Sequence, residues 1–439
     1  MSSKRTFLHL SDIHFTTSSD NGYDLDQDLR NELIISAKTA FSEGAPPDAI
    51  LITGDIAFKG DEAEFSTANS WLEELGEAIG VQPNSILCVP GNHDVDQRMI
   101  KGDVVLDTIH QSVRQQEGND LDAFLSGYLD SDSAIHTLLI PLTEYNRFAA
   151  TFGCESTPSR LIWTKTFSLP SGNEIRIHGL NSALFSDHRD NQYGKIPLGR
   201  FQIPKRVVGA FDVIMCHHPP DWMQDDEEIP NTLKQRAKLL LFGHKHRQRV
   251  YRENDSIVVS AGAVHPSRQE TGWIPRFNIL EIEETNATIS VTAFPKVWSA
   301  DRAEFISDTN SCDGRDSVIY EFPSVGTPQS SCEQENRENS EQTQNKMSDS
   351  DDEPISNEEQ VDNNPSRILT YRFFTLSHLT RMRIVTKLNL YRDEDEGLQD
   401  FELFQRVFER ARKENQTHLL WDEVENAHAD GLYNTNPYN

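Results

Sequence analysis

Pro90-Gly91-Asn92-His93-Asp94 (PGNHD) follows directly on the apolar run Ser85-Ile86-Leu87-Cys88-Val89. The run is short and aliphatic and ends at Pro-Gly, so it reads as a buried strand that stops at a turn. Turn chemistry accounts for Pro-Gly-Asn. It does not account for an imidazole and a carboxylate set beside the amide. The meaning of His93 and Asp94 has to be sought at the other strand ends.

The same punctuation recurs along the first 300 residues. Apolar runs at 6–10, 49–52, 174–180, 213–216, 239–242, 257–260, 277–282 and 287–293 are expected to be strands. Residues 25–41 and 64–79 repeat apolar positions at three-to-four spacing and are expected to be helices. Strands that alternate with helices predict parallel crossovers and an α/β architecture, with the later, closely spaced strands forming an antiparallel flank. Residues 97–158 read as mainly helical and are assigned a packing role.

Polar residues gather where these runs end. The first leads into Ser11-Asp12-Ile13-His14, the second into Gly54-Asp55, and the third into Asn92-His93-Asp94. Later ones lead into His217-His218-Pro219-Pro220 and Gly243-His244-Lys245-His246. In an open α/β sheet the strand carboxyl ends face one crevice, so these distant residues can converge there. Asp, Asn and His together offer hard oxygen and borderline nitrogen donors, a mix suited to Mn²⁺, Fe²⁺ or Zn²⁺. Asp-x-His and His-x-His put alternate side chains on one side of an extended segment. Glycines beside them allow sharp turns and leave room for ions.

Composition sets limits on the rest. The chain has 439 residues and only 36% hydrophobic ones, with a mean hydropathy of −0.59, so part of it is expected to lie outside any core. No stretch has the roughly 18–20 apolar residues of a membrane span. The N-terminus shows no signal-peptide pattern, and a cytoplasmic location without membrane attachment is expected. Five cysteines, widely spaced and without a CxxC, argue against a disulfide framework or a zinc knuckle. A formal net charge of −29 repels polyanions and argues against non-specific binding to duplex DNA. It is compatible with a small phosphate ester held through metal ions.

The series DxH, GD, GNHD, HHPP, GHxH, in that order over roughly residues 5–300, resembles the calcineurin-like metallophosphoesterase superfamily. The resemblance implies an α/β fold, a two-sheet β-sandwich flanked by helices. It also implies two divalent metal ions and hydrolysis of a phosphodiester or phosphomonoester by a metal-activated hydroxide. On the family pattern Asp12, His14 and His246 hold one ion, Asn92, His217 and His244 hold the other, and Asp55 bridges them. His217 is preferred to His218 because the family's ligand stands two positions before Pro. His93 on that pattern is no ligand but sits near the substrate, binding the phosphate oxygens or protonating the leaving oxygen, and takes its orientation from Asp94. The motif forms resemble bacterial phosphodiesterases, which favours a nucleotide or nucleic-acid-like substrate. An alternative from another class is a nucleotide-sensing adaptor with slow or no turnover. Four further residues near these motifs, His9, His178, His188 and Arg189, read as structural or solvated, and His265 as a neighbour of the last motif.

The expected catalytic domain is 1–305. An acidic, polar linker, largely disordered, is expected over 306–365, since it is Ser/Asn/Gln/Glu/Asp-rich and no aromatic stands between Phe322 and Tyr371. Residues 366–427 carry helical stripes at 379/382/385/388 and 401/404/408/411 and a third helix around 419–424, followed by a tail at 428–439. This small helical unit resembles the effector-associated, death-fold-like modules of bacterial defence proteins, which implies recruitment of a protein partner.

Overall fold

The computed structural model describes residues 3–16, 25–42, 44–116, 118–190, 196–224, 228–265, 274–285, 288–324, 365–376, 378–392, 395, 400–428 and 436–438. The chain divides into two compact units, Met1–Glu335 and Asn336–Asn439.

The first unit has β1 (Lys4–Leu10), β2 (Ala49–Ile52), β3 (Ile86–Cys88), β4 (Trp163–Ser168), β5 (Glu174–Gly179), β6 (Ala210–Cys216) and β7 (Leu239–Phe242). These are followed by β8 (Arg249–Glu253), β9 (Ser256–Ser260), β10 (Arg276–Glu284), β11 (Thr288–Ser299), β12 (Glu304–Ser307) and β13 (Val318–Pro323). One sheet runs β12-β11-β10-β1-β2-β3, with β13 also on β11, and the other runs β4-β5-β6-β7-β9-β8. In the first sheet β1, β2 and β3 are parallel and β10–β13 antiparallel. In the second, β5, β6, β7 and β9 are parallel, and antiparallel β4 and β8 close the edges. Both sheets are therefore mixed, and helices flank them.

The expected strands sit where their apolar runs placed them because the central parallel strands are buried on both faces. All residues of β2, β3, β6 and β7 are buried. The two sheets share one core: Phe7 of β1 meets Phe167 of β4 edge-on at 5.4 Å, and the Trp163 indole N–H donates to the Cys88 carbonyl at 3.0 Å. Between β2 and β3, the helix Glu62–Ile79 buries Phe65, Trp71, Leu72 and Leu75, and Asp61 and Glu64 form a capping box at its start. Residues 97–150 form five helices, whose Leu138, Tyr145 and Phe148 enter the main core.

The catalytic unit extends beyond its expected end at 305. Strand β12 closes at Ser307 and β13 pairs with β11 from Val318↔Ala293 to Pro323↔Thr288, so residues 306–307 and 318–323, assigned to the linker, belong to the sheet. Alternating exposure along β13 marks it as a strand with one face on the protein. The disorder expected for the rest of the linker falls on residues 325–364, outside the described residues. Cys88, Cys154, Cys216 and Cys312 are buried free thiols.

Among its described residues the second unit has four α-helices, Pro365–Thr375, His378–Lys387, Asp400–Lys413 and Thr417–His428, one more than its stripes suggested. Phe373, Val385, Phe404, Val407, Leu420 and Trp421 form its core. Arg410 holds the buried Asp395 carboxylate in a bidentate pair at 2.7 and 3.0 Å. The expected tail is in part packed here: Tyr438 lies against Trp421 at 5.8 Å, and Asn436 donates to the His418 carbonyl at 2.8 Å. Among the described residues no helix is long and apolar enough to cross a membrane.

Candidate metal centre

Five loops carry the motif residues. Each leaves the carboxyl end of a parallel strand: β1, β2 and β3 in one sheet, β6 and β7 in the other. The first two loops run side by side. Asp12 N donates to the Gly54 carbonyl at 3.0 Å, Ile13 N to Asp55 O at 2.9 Å, and Phe15 N to Ile56 O at 2.8 Å. In the second sheet Gly243 N donates to the His217 carbonyl at 3.0 Å, and the His217 ring ties that sheet to the first through the Thr53 carbonyl at 2.7 Å.

The local backbone differs from the extended segments expected. Asp12, His14, Asp55, His244 and His246 all lie in the left-handed region, with φ between 50° and 70°. Such conformations cost about 1–3 kcal/mol each and persist only where the surroundings impose them. The kinks turn both members of Asp-x-His and of His-x-His toward the centre, while Ile13 between them is buried. Gly91 answers a different need. Its φ of −105° is ordinary, but a Cβ there would stand 2.2 Å from Asp55 Oδ1.

Two clusters result. Asp12, His14, Asp55 and His246 each bring one ligand-type atom into a group spanning no more than 4.8 Å, and so do His217, His218 and His244. Asn92 Oδ1 stands beside the second, 3.1 Å from His217 Nε2 and 3.0 Å from His244 Nδ1. Asp55 lies between them: its Oδ2 is 3.3 Å from His217 Nε2 and 3.9 Å from His14 Nε2, and its Oδ1 accepts from His93 N at 2.8 Å. His246 Nε2 is 3.2 Å from Asp12 Oδ1. All seven expected ligands meet here. His218, passed over in favour of His217, is also in the second cluster. Its Nδ1 lies 2.9 Å from the Ser182 hydroxyl.

The donor chemistry fits bound cations. Both ring nitrogens of His14 are buried without a hydrogen-bond partner, a costly state that an ion beside them would relieve. Burial, opposed by Asp55, pushes the His14 imidazole down to about 3, so it is neutral. Burial likewise holds His244 and His218 neutral. Burial would raise Asp12 and Asp55, but hydrogen bonds and the charges of His246 and His217 respectively outweigh it, and both carboxylates stay ionised. His217 is the exception. Burial lowers it, yet Asp55 more than compensates and carries it up to about 9. Its Nδ1–H donates to the Thr53 carbonyl, so Nε2 faces the centre, and loading a cation there releases a proton. Two clusters of this kind, sharing Asp55, are consistent with a dinuclear divalent-metal site.

Asp94 does not orient His93, contrary to expectation. The turn Asn92–Asp94 is a 3-10 helix that folds the Asp94 carboxylate back, where it accepts from Gly91 N and Ala57 N, both at 2.8 Å. It staples the second and third loops together. Burial and the nearby Asp55 raise it to about 8. His93 is held instead by a main-chain group, with Nδ1 2.8 Å from the Phe58 carbonyl, and its ring stacks on Phe58 with centroids 5.2 Å apart.

The other histidines divide as their surroundings dictate. His9 is a core residue between Thr53 and Asn278. His178 joins Asp212 at 2.8 Å and Thr164 at 2.9 Å. Arg189 pairs with Asp187 and Asp107, and His188 is exposed. His265 reaches the first cluster through its main chain, donating to the Asp12 carbonyl at 3.0 Å. Sequence reasoning missed Phe58 and Trp222, whose indole meets the His244 ring edge-on at 4.1 Å. Their places directly after two motif blocks were the available signal.

A family model described as calcineurin-like phosphoesterase matches residues 5–248. A second, described as GTPase-associated adaptor domain, matches residues 365–426. An uncharacterized metallophosphoesterase-like protein, YydB of Bacillus subtilis (strain 168), is 28% identical over 114 residues, 26% of this chain and 22% of that protein; the chain thus spans about a fifth of that relative. Among solved structures, vacuolar protein sorting 29 of Cryptosporidium parvum is 12% identical with a TM-score of 0.31, covering 73% of this chain and 98% of its own. GAP50, the anchor in the inner membrane complex of Plasmodium, is 11% identical with a TM-score of 0.34, covering 69% and 88%.

Proposed function

The chain belongs to the calcineurin-like phosphoesterase family, and on that premise we propose that it hydrolyses a phosphodiester or phosphomonoester, with nucleotide or nucleic-acid-like substrates favoured, at a dinuclear divalent-metal centre. The observation that carries this reading is Asp55 standing between two clusters of imidazoles, with its own carboxylate and that of Asp12 ionised. Asp12, His14 and His246 would hold one ion, Asn92, His217 and His244 the other, and Asp55 both. Such a pair supplies Lewis-acid neutralisation of phosphate charge and a nucleophilic hydroxide at neutral pH.

The chain's own residues do the rest. Asn92 sets an amide oxygen between two imidazoles and adds no charge. Thr53 and Asp94 hold the loops in register, the first through its carbonyl and the second through paired backbone N–H groups. His93 donates its Nδ1–H to the Phe58 carbonyl, which leaves Nε2 to carry the proton that the departing oxygen requires.

The helical unit at 366–427 is assigned to recruiting a protein partner. Its match to an adaptor-domain model supports this, and a role in a bacterial defence system and a cytoplasmic location accord with it. Alanine at Asp55, assayed on a chromogenic phosphodiester with Mn²⁺, tests the reading. Turnover should fall by at least about a thousandfold, of the order seen when a preorganised charge-stabilising group is removed. Unchanged turnover would sink it.

A further inference from the structure

Phe58 is a large apolar side chain that the metal centre leaves open. It is 36% exposed, although Ile56 and Ala57 just before it are fully buried. Its ring stacks on His93, with planes inclined by 23°, and meets His14 edge-on at 5.9 Å.

Its backbone is held on every side. Phe58 N donates to the Phe15 carbonyl at 3.1 Å and to Glu64 Oε2 at 3.2 Å, and its carbonyl takes the His93 ring. The same Glu64 oxygen, on a residue only 2% exposed, also accepts from Lys59 N at 2.8 Å and Asp61 N at 3.3 Å. An aromatic ring fixed in this way loses little freedom on meeting a ligand. Lys59 is exposed, with its ammonium 6.0 Å from the Phe58 ring centre and no carboxylate paired to it among the described residues.

We propose that Phe58 is the stacking surface for a nucleobase on the departing side of the scissile bond, so that the substrate is a phosphodiester whose leaving alcohol is a nucleoside. This rests on the phosphoesterase reading above, which gives His93 the leaving oxygen's proton. Phe58 lies against His93 and so marks the leaving-group side. It stands a full ring-to-ring distance of 5.2 Å beyond that imidazole, which suits a ring separated from the leaving oxygen by a sugar. A phenolic ester, whose ring bears that oxygen directly, fits less well. Bases of every kind stack on a phenyl face.

The test uses the full-length, Mn²⁺-loaded protein and two matched substrates: a dinucleoside monophosphate and the same molecule without the base on its departing nucleoside. The base should raise kcat/KM about tenfold, mostly through KM, equivalent to about 1.4 kcal/mol. Phe58→Leu should compress that ratio to within about twofold of one, and Phe58→Trp should keep it. Circular dichroism checks that both variants fold. A ratio that Phe58→Leu leaves intact, or a wild-type ratio near one, overturns the inference while cleavage itself upholds the phosphoesterase. Phosphotyrosine gaining as much from Phe58 as the dinucleotide also overturns it. Cleavage of neither substrate, nor of a generic phosphodiester, overturns the phosphoesterase reading and this inference with it.

Discussion

Gly91→Ala isolates the geometry of the centre with a single methyl group. The Gly91 backbone, at φ −105° and ψ −179°, is open to any L residue, so no torsional strain enters. The added carbon would sit 2.2 Å from Asp55 Oδ1 and 2.5 Å from Asp55 N. Carbon–oxygen contacts in proteins stand at about 3.3 Å or more, so the gap must open by about 1.1 Å. The backbone of Asp55 is pinned by the Ile13 and His14 amides, so relief of both contacts must move the carboxylate and push the Gly91 turn away from the Asp55 loop. A displacement of about 1 Å costs roughly a hundredfold in rate, and overpacking of this kind costs about 1–3 kcal/mol in stability. At about 3 °C per kcal/mol the melting temperature should fall by about 3–9 °C. Steady-state turnover of a phosphodiester at saturating Mn²⁺, beside a thermal melt, reads both effects. Gly127→Ala is the control: nothing lies within 4 Å of its added carbon, and its helix Gly118–Leu129 should gain up to about 1 kcal/mol with turnover unchanged. Gly91→Ala within about threefold of wild-type turnover would refute the reasoning, because Asp55 would then not be needed where it stands.

Two further outcomes follow from named contacts. Glu64→Ala should free the Lys59 and Asp61 amides, while Phe58 N keeps the Phe15 carbonyl; it should speed the hydrogen exchange of those two at least about tenfold and cost about 1–3 kcal/mol, and unaltered protection of both would show that Glu64 does not hold the loop. In the helical unit the hydrogen bond from Arg410 is the main force holding the Asp395 carboxyl below its ordinary range, against its own desolvation. A depressed carboxyl stabilises the fold above its unfolded pKa of about 3.9 and loses that contribution as pH falls through the folded value. The unit should therefore weaken below about pH 4, and Asp395→Asn should flatten that acid limb while costing about 3–5 kcal/mol at pH 7. Denaturant melts at pH 7 and pH 3 compare the two, and an acid limb that Asp395→Asn leaves as steep would count against the pair.

The parts of the molecule legible in the sequence were those whose residue types are uncommon for their place. Buried parallel strands such as β2 and β7 announce themselves as unbroken aliphatic runs, and both were bounded correctly. Strands β4, β8, β12 and β13 were not found. Their exposure alternates or stays high, and Trp-Thr-Lys-Thr-Phe-Ser or Arg-Val-Tyr-Arg-Glu carries too little apolar pattern to stand out. The helix Pro365–Thr375 escaped for a similar reason, since among its described side chains the core takes Leu369 and Phe373. At the metal centre the seven residues expected as ligands do converge, because such donors are particular residue types, but His218, set aside in favour of His217, joins the second cluster as well. The left-handed kinks at Asp12 and His14 could not be read, since Asp and His tolerate that region without advertising it. Nor could the partner of His93. A main-chain carbonyl such as that of Phe58 leaves no mark in sequence, and the adjacent Asp94 offered itself as a false one.

The account stands on Asp55 being shared by two cations, and a count of bound metal tests that most directly. Full-length protein dialysed to equilibrium with saturating Mn²⁺ should hold two ions per chain by mass spectrometry, and Asp55→Ala should hold one or none. A wild-type chain that binds no metal, or an Asp55→Ala chain that still binds two, would contradict it.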